Sequence, residues 1–248
     1  MIKSLNNIYL RQLFNPTVLS LIINPFYFYR RLLYQSIGAL APKLTGRLLD
    51  FGCGLKPYKD LFINAEVYFG VDVENPGHDH SKEDIDLYYD GNTLPLAEHS
   101  FDSVFCSEVL EHVPDLDQSI SEISRVLKPN GQLLVTVPFF WMEHEMPHDY
   151  RRFTKGGIEE VLKIAGFEMI ESCSVAHFTT SIFQMWSMYI YSFYQNQNKY
   201  LRMLLTAIFI SPVNIVGSIL AFILPKQKGL YLGSVILCRK VENENTAH

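Results

Sequence analysis

The sequence predicts an α/β fold built on a doubly wound, Rossmann-like sheet. Three observations carry this expectation. Short apolar runs alternate with amphipathic segments from Gly46 to about Val137, the rhythm of βαβ units around a parallel sheet. One of these runs enters a glycine turn, "LLDFGCGLKPY" from Leu48 to Tyr58. The next run ends on an acid, Asp72, about 20 residues beyond Asp50, where folds of this kind carry a ribose-binding carboxylate.

Each element has its own signal. Arg47–Phe51, Val67–Val73, Ser103–Ser107 and Gln132–Val137 are short, apolar and bounded by turn residues, as buried strands are. Gln118–Leu127 repeats Ile120, Ile123, Val126 and Leu127 at helical spacing and stops at Lys128-Pro129-Asn130-Gly131, a strong terminator. After Thr154, Gly156–Gly166 reads as a helix and Phe167–Val175 as a strand, and Tyr231–Lys240 is again strand-like. Right-handed crossovers make the doubly wound arrangement the default.

Composition narrows the class. A chain of 248 residues buries a substantial core in one domain with elaborations. The net charge of −5 leaves no basic footprint for nucleic acid. Cys53, Cys106, Cys173 and Cys238 are far apart with no CxxC pair, which suits a reducing cytoplasm better than a zinc or disulfide framework. The N-terminal apolar stretch Val18–Tyr29 is interrupted by Asn24-Pro25 and followed by Arg30-Arg31, the wrong order for a signal peptide.

The segment Met203–Leu224 has no charged residue, which raises the question of a membrane span. Ser211-Pro212-Val213-Asn214 divides it into halves that are each too short to cross a bilayer of ~30 Å. A single span would also strand Tyr231–Lys240 on the far side of the membrane. The expectation is therefore a helical hairpin. With Lys199 and Arg202 on one flank and Lys226 and Lys228 on the other, it either dips into an anionic interface or packs on its own domain or a dimer partner.

A strand, a glycine turn and a helix bring backbone N–H groups close to a ligand. Pro57 stands where the dinucleotide fingerprint needs glycine, and no GK[ST] follows, so both pyrophosphate readings lose their key feature. Further blocks complete the picture: Asp90-Gly91-Asn92-Thr93-Leu94-Pro95-Leu96, then SFDSVFCSEVLEHV over 100–113, then LKPNGQLLVTVP. Taken together with DFGCG and GVDV, and in this order over Arg47–Pro138, the series resembles class I S-adenosylmethionine-dependent methyltransferases of the type 11 branch.

The resemblance implies a seven-stranded sheet whose last strand is antiparallel, with S-adenosyl-L-methionine as cofactor. It implies that Asp50, Gly52 and Gly54 flank the methionine part of the cofactor, with Asp72 on the ribose hydroxyls. Asp90 and Gly91 would lie beside adenine, and Ser107 would line the methionine side. Lys56 departs from the GxGxG form of the family's loop. Some relatives associated with polysaccharide clusters share a GCGxKPY form, which makes Lys56 a subfamily mark. The implied organisation is an N-terminal helical extension over 1–45, a methyltransferase domain over 46–240 with an apolar insertion at about 181–228, and a tail over 241–248.

The acceptor loop is expected after the fifth strand, because ligands bind at the carboxyl ends of strands in open sheets. There His144, Glu145, His148, Asp149, Tyr150, Arg151 and Arg152 crowd together. An alcohol acceptor needs its proton removed, for which histidine is suited, so His144 and His148 are the candidate bases, with His112 of LEH a third. Tyr150, Arg151 and Arg152 are candidate acceptor contacts, the arginines for a phosphate or carboxylate. The bland alternative is a polar network of His148, Asp149 and Arg152 closing the loop. No metal site is expected, since His144, Glu145 and His148 lack a further ligand.

The leading expectation is O-methylation of a glycan or lipid-linked glycan by a cytoplasmic enzyme that touches the inner face of the membrane. A membrane-soluble quinone or polyprenyl lipid is the second acceptor class. A non-catalytic methyltransferase-like scaffold, binding a partner through the apolar hairpin, is the third reading. Small-molecule or lipid partners are expected rather than nucleic acid.

Overall fold

The computed structural model describes residues 9–73 and 84–241; of the expected N-terminal extension and tail, 1–8 and 242–248 lie outside them. The chain divides into two compact units. One comprises Ile37–Cys173 and Gly233–His248, the other Met1–Ser36 and Ser174–Leu232.

The first unit carries the sheet. Its strands are β1 (Gly46–Phe51), β2 (Ala65–Val73), β3 (Leu87–Tyr89), β4 (Phe101–Ser107), β5 (Leu127–Pro138), β6 (Phe167–Val175) and β7 (Gly233–Lys240). Their order is β3-β2-β1-β4-β5-β7-β6. Strand β1 pairs in parallel with both β2 and β4, so the order reverses between β1 and β4. That reversal is the topological switch point at which ligands bind in open sheets. Strand β7 runs antiparallel to β5, with Val135 opposite Ile236. The doubly wound, seven-stranded fold with an antiparallel last strand is therefore present.

Local chemistry explains the elements. Leu48, Leu49, Val104, Leu134 and Val135 are fully buried, as strands covered on both faces must be. The helix Leu116–Val126 starts on Asp115, whose side chain accepts a hydrogen bond from the Gln118 N–H, satisfying an otherwise orphaned donor. Its apolar stripe, Ile120, Ile123 and Val126, is buried. Strand β5 begins earlier than the sequence suggests, because Leu127 already pairs with Phe101 and Asn130 takes a φ of +61° that bends the chain within it. Strand β3 escapes sequence reading because three residues show no periodicity.

The second unit is helical. It contains the helix Phe178–Ser192, a 25-residue helix Lys199–Ile223 and the single turn Ser20–Ile23. Here the structure corrects an expectation. Ser211-Pro212 does not reverse the chain. Proline lacks the N–H that would bond four residues back, and a wide π turn at Thr206–Ile210 takes up the mismatch just upstream. The hairpin instead turns between Ser192 and Lys199, and its two legs pack closely. A Cβ on Gly217 would lie 2.6 Å from Phe183 Cγ.

Buried polar side chains bind this unit together. Asn214 donates to the carbonyls of Leu21 and Asn24 at 3.1 and 3.2 Å. Gln184 donates to the Pro25 carbonyl at 2.9 Å and accepts from the Tyr29 N–H. Both side chains are fully buried. Replacing Asn214 with leucine leaves the buried Asn24 carbonyl and the part-buried Leu21 carbonyl without this donor, and an unmet buried acceptor costs about 1–3 kcal/mol. Asn214→Leu is thus expected to lower the unfolding free energy by roughly 2–4 kcal/mol, measured by chemical denaturation.

Candidate active site

The site lies at the carboxyl ends of β1, β2, β4 and β5. Gly52 leaves β1 with φ +72°, and a Cβ there would come within 2.4 Å of Val109. The turn after β1 and the segment after β4 are therefore in contact, and only glycine fits between them. The Asp72 carboxylate accepts hydrogen bonds from the Gly54 N–H at 2.7 Å and the Val73 N–H at 2.8 Å.

Lys56 adopts φ +49°, the left-handed conformation for which glycine is the usual choice. Its side chain is buried and its ammonium sits 2.7 Å from Asp86 Oδ2. Asp86 also accepts from the Gly70 N–H at 2.7 Å. The lysine stem crosses Gly70, where an added Cβ would lie 2.4 Å from Lys56 Cε. Lys56 thus keeps the turn shape of the third glycine while tying the loop to the stretch before β3.

Asp50 is buried and accepts a 2.5 Å hydrogen bond from the Tyr68 hydroxyl. Burial raises its pKa to about 7 despite that bond. Asp90 is spent on its own turn, accepting from the N–H groups of Asn92 and Thr93 at 2.9 and 3.2 Å, and Gly91 follows with φ +84°. The Ser107 hydroxyl lies 2.9 Å from the Thr136 hydroxyl, which donates to Glu108 Oε1 at 2.9 Å.

The loop after β5 is clamped onto the segment after β4. The Tyr150 N–H donates to the Glu111 carbonyl at 2.9 Å. Arg151 donates to the carbonyls of Val113 and Pro114. Arg152 directs its five N–H groups at Asp149 Oδ1 and Oδ2 and at the carbonyls of Arg151, Met142 and Trp141. None is left for an acceptor anion, which corrects the expected contact by Arg152. Arg151 is likewise turned to the backbone. These paired bonds from Arg152 hold the buried Asp149 carboxyl well below the usual range, and Asp149 also accepts from the His144 N–H at 2.9 Å.

This clamp brings His112 and His144 together, with Nε2 atoms 3.2 Å apart. His112 Nδ1 is 2.7 Å from the His148 carbonyl. His144 Nδ1 is 3.2 Å from the Met142 carbonyl. Burial, then the neighbouring His112, push the His144 pKa down, so that ring is neutral near pH 7. Glu111 lies behind them, with Oε1 3.7 Å from His112 Nε2. Burial and the nearby Glu108 push its pKa well up. His148 stands apart, exposed and paired with the Tyr150 hydroxyl at 3.0 Å. Backbone strain marks both sides of the cluster, since Glu108 and Glu145 have φ +56° and +52°, and such outliers concentrate at functional sites.

Sequence reasoning missed the parts played by Glu111, Thr136 and Asp86. Glu111 was in view within LEH, but its partner His144 is 33 positions away. Thr136 and the Lys56–Asp86 pair carry no local motif.

Comparisons with known proteins agree with the geometry. The family described as "Methyltransferase domain" matches residues 49–135. This stretch is an S-adenosylmethionine-dependent methyltransferase domain. A probable S-adenosylmethionine-dependent methyltransferase of Mycolicibacterium smegmatis is 32% identical over 61% of this chain and 63% of its own length. The matched region thus spans less than two thirds of that relative. A ubiquinone biosynthesis O-methyltransferase of Saccharophagus degradans is 27% identical over 53% of this chain and 67% of its own. The Haemonchus contortus phosphoethanolamine N-methyltransferase 2, solved with S-adenosyl-L-methionine, superimposes with a TM-score of 0.52 at 21% identity, covering 90% of this chain and 56% of that one. At that identity the likeness speaks for the fold alone.

The methyltransferase domain has a testable electrostatic signature. The folded state keeps Asp50 protonated up to about pH 7, whereas the unfolded chain releases that proton near pH 4. Between these values the native state binds the extra proton, so this group's contribution to stability falls as pH rises. Asp50→Asn is expected to flatten that decline. Without ligand, wild type should lose stability relative to the variant between about pH 4 and 7, followed as the difference in melting temperature.

Proposed function

We propose that the protein is an O-methyltransferase acting on a hydroxyl of a lipid-held acceptor. One observation carries the reading: the convergence of Glu111, His112 and His144 at the strand ends that also present Asp72 and Ser107. Lone pairs at that place are suited to activating an acceptor hydroxyl. When bound, S-adenosylmethionine supplies an electrophilic methyl group on a sulfonium.

The residues fit that cofactor. Gly52 and Gly54, with φ +72° and +46°, let the backbone approach it. We assign Asp72 to the ribose hydroxyls, and Asp50 and Ser107 to the methionine side. Asp90 acts through its turn, shaping the backbone beside adenine. Around the acceptor, Tyr150 is half exposed beside the histidine cluster, while Arg151 and Arg152 build the wall that holds it.

The apolar unit supports a lipid-held acceptor. The helix Lys199–Ile223 is long and apolar enough to cross a membrane by length and composition, and only 28% of its most apolar window is buried. Trp186, Tyr189, Tyr200 and Phe222 are exposed on the two legs and Phe193 in the turn between them, and exposed apolar surface of this extent marks a membrane or partner interface. Lys199, Arg202, Lys226 and Lys228 add the cationic flank that favours anionic lipid. We read the unit as a peripheral anchor on the inner face of the membrane.

Two acceptor classes follow. A lipid-linked glycan is the first. A membrane-soluble quinone or polyprenyl lipid gains ground from two observations: Arg152 has no donor to spare for a sugar phosphate, and a quinone O-methyltransferase is among the relatives.

Asp72→Ala is expected to weaken S-adenosylmethionine binding by more than tenfold in isothermal titration calorimetry, the loss of one or two charged hydrogen bonds of about 1.5–3 kcal/mol each. Unchanged binding would sink the cofactor assignment. Wild type is expected to float with anionic liposomes, and the double variant Ile219→Asp, Phe222→Asp to remain at the bottom of the gradient. Lipid extracts from cells with and without the protein then separate glycan from quinone.

A further inference from the structure

We propose that Glu111, His112 and His144 form a binding site for a divalent transition-metal ion, which activates the acceptor hydroxyl. The inference rests on the methyltransferase reading for the ion's role, but not for its binding.

The argument starts with the proton positions. A backbone carbonyl only accepts hydrogen bonds. His112 Nδ1 faces the His148 carbonyl at 2.7 Å and His144 Nδ1 faces the Met142 carbonyl at 3.2 Å. Both rings therefore carry their proton on Nδ1, and both Nε2 atoms present lone pairs. Those two lone pairs point into one space, 3.2 Å apart. Glu111 closes the same space from behind. Its side chain is completely buried, and neither of its oxygens has a hydrogen-bond partner. Three potential ligands thus converge, their ligand atoms all within 4.8 Å of one another.

A buried, unpartnered carboxylate costs several kcal/mol unless something positive or hydrogen-bonding meets it. A cation between the three groups removes that cost and the repulsion of the facing nitrogens together. The spacing fits. Two imidazoles bound at about 2.1 Å lie about 3.0–3.4 Å apart for octahedral to tetrahedral angles. The second shell fits as well. Metal-bound histidines usually donate their other ring N–H to a carbonyl or carboxylate, and Asp149 Oδ2 is 3.4 Å from His144 Nδ1 in addition to the Met142 carbonyl. Two imidazoles and one carboxylate are a set suited to zinc, iron, cobalt or manganese, with further positions open. The partial exposure of both histidines supplies the entry path.

A coordinated hydroxyl loses its proton far more readily than a free one. In the transfer, the acceptor O–H proton leaves to water, the O–CH3 bond forms as the S–CH3 bond of the sulfonium breaks, and the neutral thioether departs. The sequence pointed away from a metal because His144, Glu145 and His148 offered no further ligand. Two of the three ligands, Glu111 and His112, come from the segment after β4 and meet His144 only in the folded chain.

The test uses the full-length protein, stripped with chelator and titrated with Co2+. The wild type is expected to develop visible d–d absorption with one equivalent bound. His112→Ala and His144→Ala should weaken Co2+ binding by at least about tenfold, with Glu111→Gln also weakened. His148→Ala should bind as wild type does. S-adenosylmethionine binding, measured on the same preparations, reports that each variant is folded. A wild type that takes up no Co2+ would mean a proton shared between the imidazoles and would overturn the proposal, as would alanine variants that bind Co2+ like wild type. Co2+ binding without S-adenosylmethionine binding in wild type would leave the metal site standing and remove the methyltransferase reading.

Discussion

The ion pair between Asp149 and the partly exposed Arg152 is the contact on which the candidate site depends. Asp149 is sealed from solvent and takes two hydrogen bonds from one guanidinium and one from the His144 N–H. Arg152 spends its remaining donors on the carbonyls of Arg151, Met142 and Trp141. Satisfied networks of this kind rigidify what they hold. What they hold here is the loop after β5, and through it the position of His144 against His112. The two arginines serve the site by building its wall.

A second charge pair does comparable work at the cofactor end. Lys56 takes a left-handed conformation that glycine would adopt more easily, and the cost of that strain is of order 1–2 kcal/mol. The ammonium–carboxylate bond to Asp86 and the packing of the lysine stem over Gly70 offset it. A lysine in a glycine position therefore preserves the turn and adds a tie to the approach to β3.

The apolar unit follows the opposite logic from the sheet. Its outer surface is apolar and exposed, while its interior is stitched by Asn214, Gln184, Ser187 and Asn24. Polar side chains between apolar helices fix register where non-directional apolar contacts cannot. The π turn before Pro212 belongs to the same design, letting one long helix continue through a residue that would otherwise break it.

Most of the strands, the helices around them and the glycine turn with its acids at strand ends were legible in the sequence by itself. Their signals are local: apolar runs, helical spacing, a terminating Lys128-Pro129-Asn130-Gly131, and glycines next to acids at strand ends. The meeting of His112, His144 and Glu111 was decided only by tertiary structure, because a pairing across some 30 residues depends on a clamp that no periodicity announces. The roles of Arg151, Arg152 and Lys56 were decided there too, since a charged side chain reads alike in sequence whether it faces a ligand or a carbonyl. The hairpin lay between these cases. Its apolar length was plain, but whether Pro212 ends a helix or rides on a π turn depends on packing against Phe178–Ser192, and that only the folded chain could settle.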